Sequence, residues 1–255
     1  MRIVIKVGSN VLTRDNGKLD VTRVSAIVDQ VAWLKGQGHD VVLVSSGAVA
    51  CGRRELKVDH DLDSVEQRQL FSALGQVKLI GLYYDLFREH NLHVGQVLTM
   101  KENFEQGEQY DNQKACMTVM LENGVVPIVN ENDTVCVTEL MCTDNDELSG
   151  LIAMMLDADM LILLSNINGI YTGNPDDPNS KLIRKVDADC DLSSYIQASK
   201  SSHGRGGMVS KYSTSIKVQQ SGITVIIANG KRDDILIDLI NRPEETLHTR
   251  FLSEK

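Results

Sequence analysis

Two clusters of carboxylates and carboxamides hold the chemistry open to this sequence. Asn130-Glu131-Asn132-Asp133 follows directly on an apolar run, Val125 to Val129, and Asp144-Asn145-Asp146 directly precedes a helical pattern from Leu148 to Leu156. Such side chains at a strand's end and a helix's start cap a helix, hold a cation, or grip a small polar ligand. The remaining strand ends favour the ligand. Lys6-Val7-Gly8-Ser9-Asn10 offers a point charge and exposed backbone N–H groups, which suit a phosphate. Ser45-Ser46-Gly47-Ala48 gives small residues that let a ligand approach the backbone. Ser165-Asn166 ends a further strand, and Gly204-Arg205-Gly206-Gly207-Met208-Val209-Ser210-Lys211 is a glycine-rich lead into a helix, a phosphate-binding shape without the Walker A ending.

Each feature also has a plain structural reading. Lys6 suits a snorkelling lysine at a sheet edge. Ser46 suits a helix N-cap, and Asp144 with Glu147 suits a capping box. Asn130 to Asp133 suits a solvated turn, and the glycine loop suits a flexible link. What these readings leave unexplained is the placement: the polar groups gather at strand ends and helix starts that one sheet would bring together. Two lysines, several carboxylates and a glycine loop describe phosphoryl transfer better than hydride transfer, and no GxGxxG follows the first strand.

The elements that must bring these groups together alternate along the chain. Apolar runs at 2–7, 41–44, 94–98, 125–129, 160–164 and 225–228 read as strands. Val24, Ile27, Val28, Val31 and Leu34 recur at helical spacing before Gly36 and Gly38, and helical patterns fill 64–89, 111–122, 145–156 and 208–220. In the long pattern, Leu70, Leu74, Val77 and Ile80-Gly81 fall on one side. Alternating strand and helix, with strands apolar on both faces, predicts an α/β fold: a mostly parallel sheet covered by helices on both sides. Such sheets bind ligands beyond the carboxyl ends of their strands. The turn-rich stretch 174–180 is an excursion rather than a boundary, and the sequence reads as a single domain, 1–255.

Bulk properties narrow the classes. The chain has 255 residues, 42% of them hydrophobic, ample for a core. A formal charge of −9 argues against a nucleic-acid or polybasic membrane surface while leaving local sites for an anion. Five cysteines without a CxxC pair point to a reducing cytoplasm, and six histidines without HExxH spacing point away from zinc. No signal segment or apolar run of membrane-spanning length is present, so a soluble protein is expected.

With these residues in view, the chain resembles the amino-acid kinase superfamily and, within it, the glutamate 5-kinase family. The resemblance runs from Lys6 to about Gly230 and rests on I-K-V-G-S at 5–9, V-S-S-G-A-V-A-C-G at 44–52, V-G-Q-V-L at 94–98, V-P-I-V-N-E-N-D at 126–133, D-N-D-E-L-S at 144–149 and G-G-M-V-S-K at 206–211. It implies a three-layer αβα sandwich, the amino-acid kinase fold, with a glutamate-binding half at about 1–160 and a nucleotide-binding half at about 161–255. It implies transfer of the ATP γ-phosphate to the side-chain carboxylate of L-glutamate, the first step of proline biosynthesis, with Mg2+ arriving on the ATP phosphates rather than on a protein metal site. By family match Ser46, Gly47, Asp133, Asn145 and Asp144 contact glutamate. Lys6 and Lys211 stabilise the moving phosphoryl group and Asp146 orients them. Ser165, Asn166 and the run Arg205, Gly206, Gly207, Met208, Val209, Ser210, Lys211 contact ATP together with Lys6. The resemblance also leaves room for proline as feedback inhibitor, glutamyl phosphate reductase as partner, and a homo-oligomer.

Some positions depart from the family pattern. Asn166 and Asn174 stand where Asp is usual, Arg205 replaces a small residue, Met141 replaces a residue that is often basic, and Thr143 replaces a common Gly. A C-terminal PUA domain, frequent in bacterial relatives, is not expected in 255 residues. Two other readings use the same fold: a superfamily kinase with another acceptor, and a non-catalytic amino-acid sensor, which would dispense with Lys6, Lys211 or Asp146.

Overall fold

Apolar, largely β-branched runs make the strands, and their order follows from the helices that must cross between them. The computed structural model describes residues 1–135, 144–187, 190, 192, 195 and 207–253. The strands are β1 (Arg2–Val7), β2 (Asp40–Ser45), β3 (Val94–Thr99), β4 (Val126–Glu131), β5 (Met160–Ser165), β6 (Lys185–Val186), β7 (Thr224–Asn229) and β8 (His248–Phe251). They form one sheet in the order β3-β4-β2-β1-β5-β7-β8-β6. β7 and β8 pair antiparallel; the other neighbours are parallel.

Helices cover both faces, as the sequence predicts. They are α1 (Ser9–Leu12), α2 (Val21–Gly36), α3 (Ala48–Gly52), α4 (Ser64–Glu89), α5 (Glu108–Glu122), α6 (Asn145–Met155), α7 (Met208–Gln220) and α8 (Ile235–Asn241). Strand side chains alternate between faces. Ile3, Ile5 and Val7 of β1 join one apolar cluster with α2, α4 and α8. Val4 joins the other, with α5, α6 and α7. The same alternation turns Lys6 toward the α5–α6–α7 layer. A buried strand thus delivers the charge near its carboxyl end to the helices that carry Asp146 and Lys211.

α4 faces the sheet differently from its predicted stripe. Phe71, Gly75, Leu79, Tyr83 and Phe87 are buried, whereas Leu74 is 36% and Val77 72% exposed. Apolar residues occur all around this helix, so two stripes compete, and the one carrying Phe and Tyr removes more apolar area from water. The edge elements β6, β8 and α8 were not anticipated. His248-Thr249-Arg250-Phe251 is short and polar and becomes a strand through its pairing with β7.

α3 and α4 meet at two glycines. A β-carbon on Gly75 would lie 1.7 Å from the Ala48 carbonyl oxygen, and one on Gly52 would lie 1.8 Å from that of Phe71. Both obstacles are backbone, so relief requires moving α3, which begins immediately after Ser46-Gly47. Gly75→Ala is therefore expected to destabilise the protein by about 2–3 kcal/mol, despite alanine's better helix propensity. Thermal unfolding should show a fall of several degrees; an unchanged midpoint would mean that the two helices are not locked by this contact.

Candidate active site

β1, β2, β4, β5 and β7 run parallel, so their carboxyl ends share one side of the sheet. A cleft of 2290 Å³ opens there, lined by Lys6, Ser46, Asn130, Asp133, Asn145, Ser165 and Lys211 among others. At its centre Asp146 is fully buried and accepts from two lysines. Lys6 Nζ donates to Oδ1 at 2.5 Å and Lys211 Nζ to Oδ2 at 2.8 Å. The two ammonium groups come from β1 and α7 and meet on the first turn of α6.

Helix packing sets this meeting. Asp146 lies one turn before Gly150 on α6, and Lys211 one turn before Thr214 on α7. A β-carbon on Gly150 would sit 2.7 Å from Thr214 Cγ2 and 3.0 Å from Val218 Cγ2. The missing side chain lets α6 and α7 close on each other, and the turns ahead of the contact carry the acid and the lysine. Burial lowers the Lys6 pKa from its ordinary 10.5; Asp146 acts to raise it and the Lys211 charge to lower it. Asp146 thus opposes the desolvation that would strip Lys6 of its proton.

Of the capping box expected at α6, the Asp144 half forms. Asp144 Oδ1 accepts from the Glu147 backbone N–H at 2.8 Å, while Oδ2 accepts from Ser210 Oγ in the first turn of α7. Both of these donors are neutral groups, one on α6 and one on α7. Capping and site-building turn out to be the same structure.

On one side of the lysines the cleft ends in a carboxamide network. Asn145 Nδ2 donates to Ser46 Oγ at 2.8 Å and to Asn130 Oδ1 at 3.1 Å; Asn130 Nδ2 in turn donates to Gln76 Oε1 at 3.0 Å. Behind Ser46, Ser45 Oγ and the buried Tyr83 hydroxyl lie 2.8 Å apart. Gly47 adopts a left-handed φ of 106°. Arg68 of α4 reaches Asp133 Oδ1 through Nε at 2.6 Å and Glu131 Oε2 through Nη2 at 2.5 Å.

On the other side lie Ser165, Asn166, Gly207, Met208 and Lys231. Ser165 Oγ donates to Asn166 Oδ1 at 3.4 Å. Of the predicted nucleotide residues, Val209 is 57% exposed and Ser210 is turned onto Asp144. Arg205 and Gly206 lie outside the described residues, as do Met141 and Thr143. Lys6, Ser46, Gly47, Asp133, Asp144, Asn145, Asp146 and Lys211 all line one cleft. Sequence reasoning missed Arg68, Gln76 and Lys231. Arg68 and Gln76 sit in a helix rich in polar residues, where nothing local separates them from a solvated face.

Known proteins with these features group consistently. Residues 1–229 match the model of the amino acid kinase family. The glutamate 5-kinase of Bacteroides thetaiotaomicron is 64% identical over 98% of this chain and 70% of its own length. That of Chlorobaculum tepidum is 43% identical over 100% of this chain and 70% of its own. Among solved structures, an isopentenyl phosphate kinase substrate complex superposes with a TM-score of 0.68 at 17% identity, covering 98% of each chain. A Giardia lamblia carbamate kinase bound to AMP-PNP gives 0.68 at 15% identity, covering 99% of this chain and 98% of its own. These two show a shared fold.

Asp146→Asn removes the negative charge between two buried ammonium groups and should cost on the order of 3 kcal/mol near neutral pH. Without Asp146 the folded-state pKa of Lys6 falls further below its unfolded value. The variant should therefore regain stability relative to the parent as pH rises from that lowered value toward 10.5, where folded Lys6 sheds its proton first. Denaturant titrations across pH check this; a pH-independent difference would show that the charge of Lys6 is not what Asp146 stabilises.

Proposed function

This chain belongs to the amino acid kinase family and, within it, to the glutamate 5-kinases, and from that premise we propose how its cleft moves a phosphoryl group from ATP to the side-chain carboxylate of L-glutamate. The observation that supports the reading most directly is the Lys6–Asp146–Lys211 arrangement in one cleft, between a carboxamide-lined end and an end lined by Ser165, Asn166, Gly207 and Met208.

The acceptor is a carboxylate, already ionised at neutral pH, so no strong general base is required. Its oxygen attacks the γ-phosphorus in line, a P–O bond forms, the bond to the β,γ-bridging oxygen breaks, and ADP leaves with that electron pair. Two anions must approach, and charge spreads over the transferred group. Lys6 and Lys211, held at fixed positions by Asp146, offset that repulsion and hold the reactants in line. Ser46 and Asn145 grip the carboxylate end of the acceptor, and Asp133 accepts from its ammonium group. Mg2+, carried on the ATP phosphates, would neutralise part of their charge; Asp144, bonded to neutral donors, is the described residue best placed to face it.

Residues from about 1 to 160 form the acceptor half and those from about 161 to 255 the nucleotide half of a single domain. Ser165, Asn166 and the segment from Arg205 to Lys211, including Gly206, Gly207, Met208, Val209 and Ser210, serve ATP. Proline, which shares an ammonium and a carboxylate with the acceptor, fits the same end as a feedback inhibitor. The labile acyl phosphate calls for a reductase to consume it, and the cytoplasm supplies both. Among the described residues no helix is long and apolar enough to cross a membrane. The exposed row Leu74, Val77 and Tyr84 on α4, beside the edge strand β3, supports assembly into a homo-oligomer.

Mg-ATP, L-glutamate and hydroxylamine incubated with the protein should yield γ-glutamyl hydroxamate, and aspartate and N-acetylglutamate should not replace glutamate. Lys211→Ala should lower turnover by about 10²–10³ while glutamate still raises the melting temperature. Near-normal turnover in that variant would remove Lys211 from the chemistry, and absence of product from the parent protein would contradict the reading.

A further inference from the structure

We propose that Arg68 is a positioning residue for the acceptor amino acid, fixing Asp133 and offsetting the mutual repulsion of Asp133 and Glu131. This rests on the reading of Asp133 as the partner of the acceptor's ammonium group. Arg68 stands near the start of α4, and its fork divides between two carboxylates: Nε to Asp133 at 2.6 Å and Nη2 to Glu131 at 2.5 Å. The acids are largely buried, with side-chain exposures of 11% and 5%, so water screens them little. All three residues line the cleft.

Two consequences follow from this geometry. A guanidinium is planar and permanently charged, so a bond to Asp133 Oδ1 fixes the plane of that carboxylate and hence where it meets an ammonium group. Two acids gathered on one cation would otherwise raise each other's proton affinity and repel an acceptor that itself carries two carboxylates. Both effects act on binding of the acceptor. Neither touches Lys6, Asp146 or Lys211, which lie with the phosphoryl group. An ion pair that merely ties α4 to the end of β4 would instead change the melting temperature and leave the acceptor KM alone.

The hydroxamate assay, run with varied glutamate on the parent, Arg68→Met, Arg68→Lys and the double variant Arg68→Met/Glu131→Gln, separates these cases. Arg68→Met should raise the glutamate KM at least about tenfold with kcat within about threefold and the ATP KM unchanged. Arg68→Lys, which keeps the charge and loses the fork, should fall between Arg68→Met and the parent. Removing one acid together with the cation should recover part of the loss, so the double variant should have a lower glutamate KM than Arg68→Met. A folded Arg68→Met with the parent's glutamate KM would overturn the inference, as would a double variant no better than Arg68→Met. Should Arg68→Met not fold, Arg68→Lys decides: a raised glutamate KM supports the positioning role and an unchanged one overturns it. A parent protein that makes no hydroxamate strikes the proposed function and this inference together; an active parent with an indifferent Arg68 strikes this inference alone.

Discussion

A single carboxylate without solvent exposure, Asp146, holds two ammonium groups that would otherwise repel each other inside the protein. Desolvating three charges is costly, and their mutual pairing offsets that cost. Much of the architecture serves that pairing. The central strand β1 must end in a lysine aimed at the α6 layer, α6 must start at the cleft, and α7 must approach close enough for Lys211 to reach the same acid. Gly150 makes the last condition possible. When an anionic phosphoryl group enters, it meets two cations whose positions are already fixed, so little reorganisation accompanies the reaction.

The end of the cleft proposed for the acceptor is organised by a second polar system. Gln76, Asn130, Asn145 and Ser46 form a continuous chain of hydrogen bonds from α4 to the end of β2. Arg68 binds Glu131 at the end of β4 and Asp133 just beyond it. Asn145 and Asp146 are adjacent on α6, so the carboxamide network and the acid that holds the lysines share one turn of helix. Asp144 ahead of them ties the same turn to Ser210 on α7. The carboxamide network, the lysine pair and α7 are thereby joined at three consecutive residues.

Much of this was legible in the sequence, for physical reasons. Buried parallel strands need apolar residues on both faces, so their polar ends stand out, and Lys6, Ser46, Asp133 and Asp144 to Asp146 were all visible as such. What stayed hidden depends on contacts between distant segments. Arg68 lies 63 and 65 residues from its two partners, in a helix where charged residues are unremarkable. Gly75 looks like a weak point of that helix until α3 is packed against it. The buried stripe of α4 could not be chosen from periodicity, because apolar residues surround it. β8 exists only through its pairing with β7 and β6.

In the proposed mechanism Asp146 and Lys211 act as one unit with Lys6. A double-mutant cycle on kcat tests this directly, comparing Asp146→Asn, Lys211→Ala and the two combined under conditions where all three variants are folded. Once Lys211 is gone, Asp146 has lost one of the two groups it positions and its charge opposes the incoming phosphoryl group. The double variant should therefore lose at least about tenfold less than the product of the two single losses. Losses that simply multiply would mean that Asp146 and Lys211 contribute independently, and that the carboxylate does not hold the lysine for catalysis.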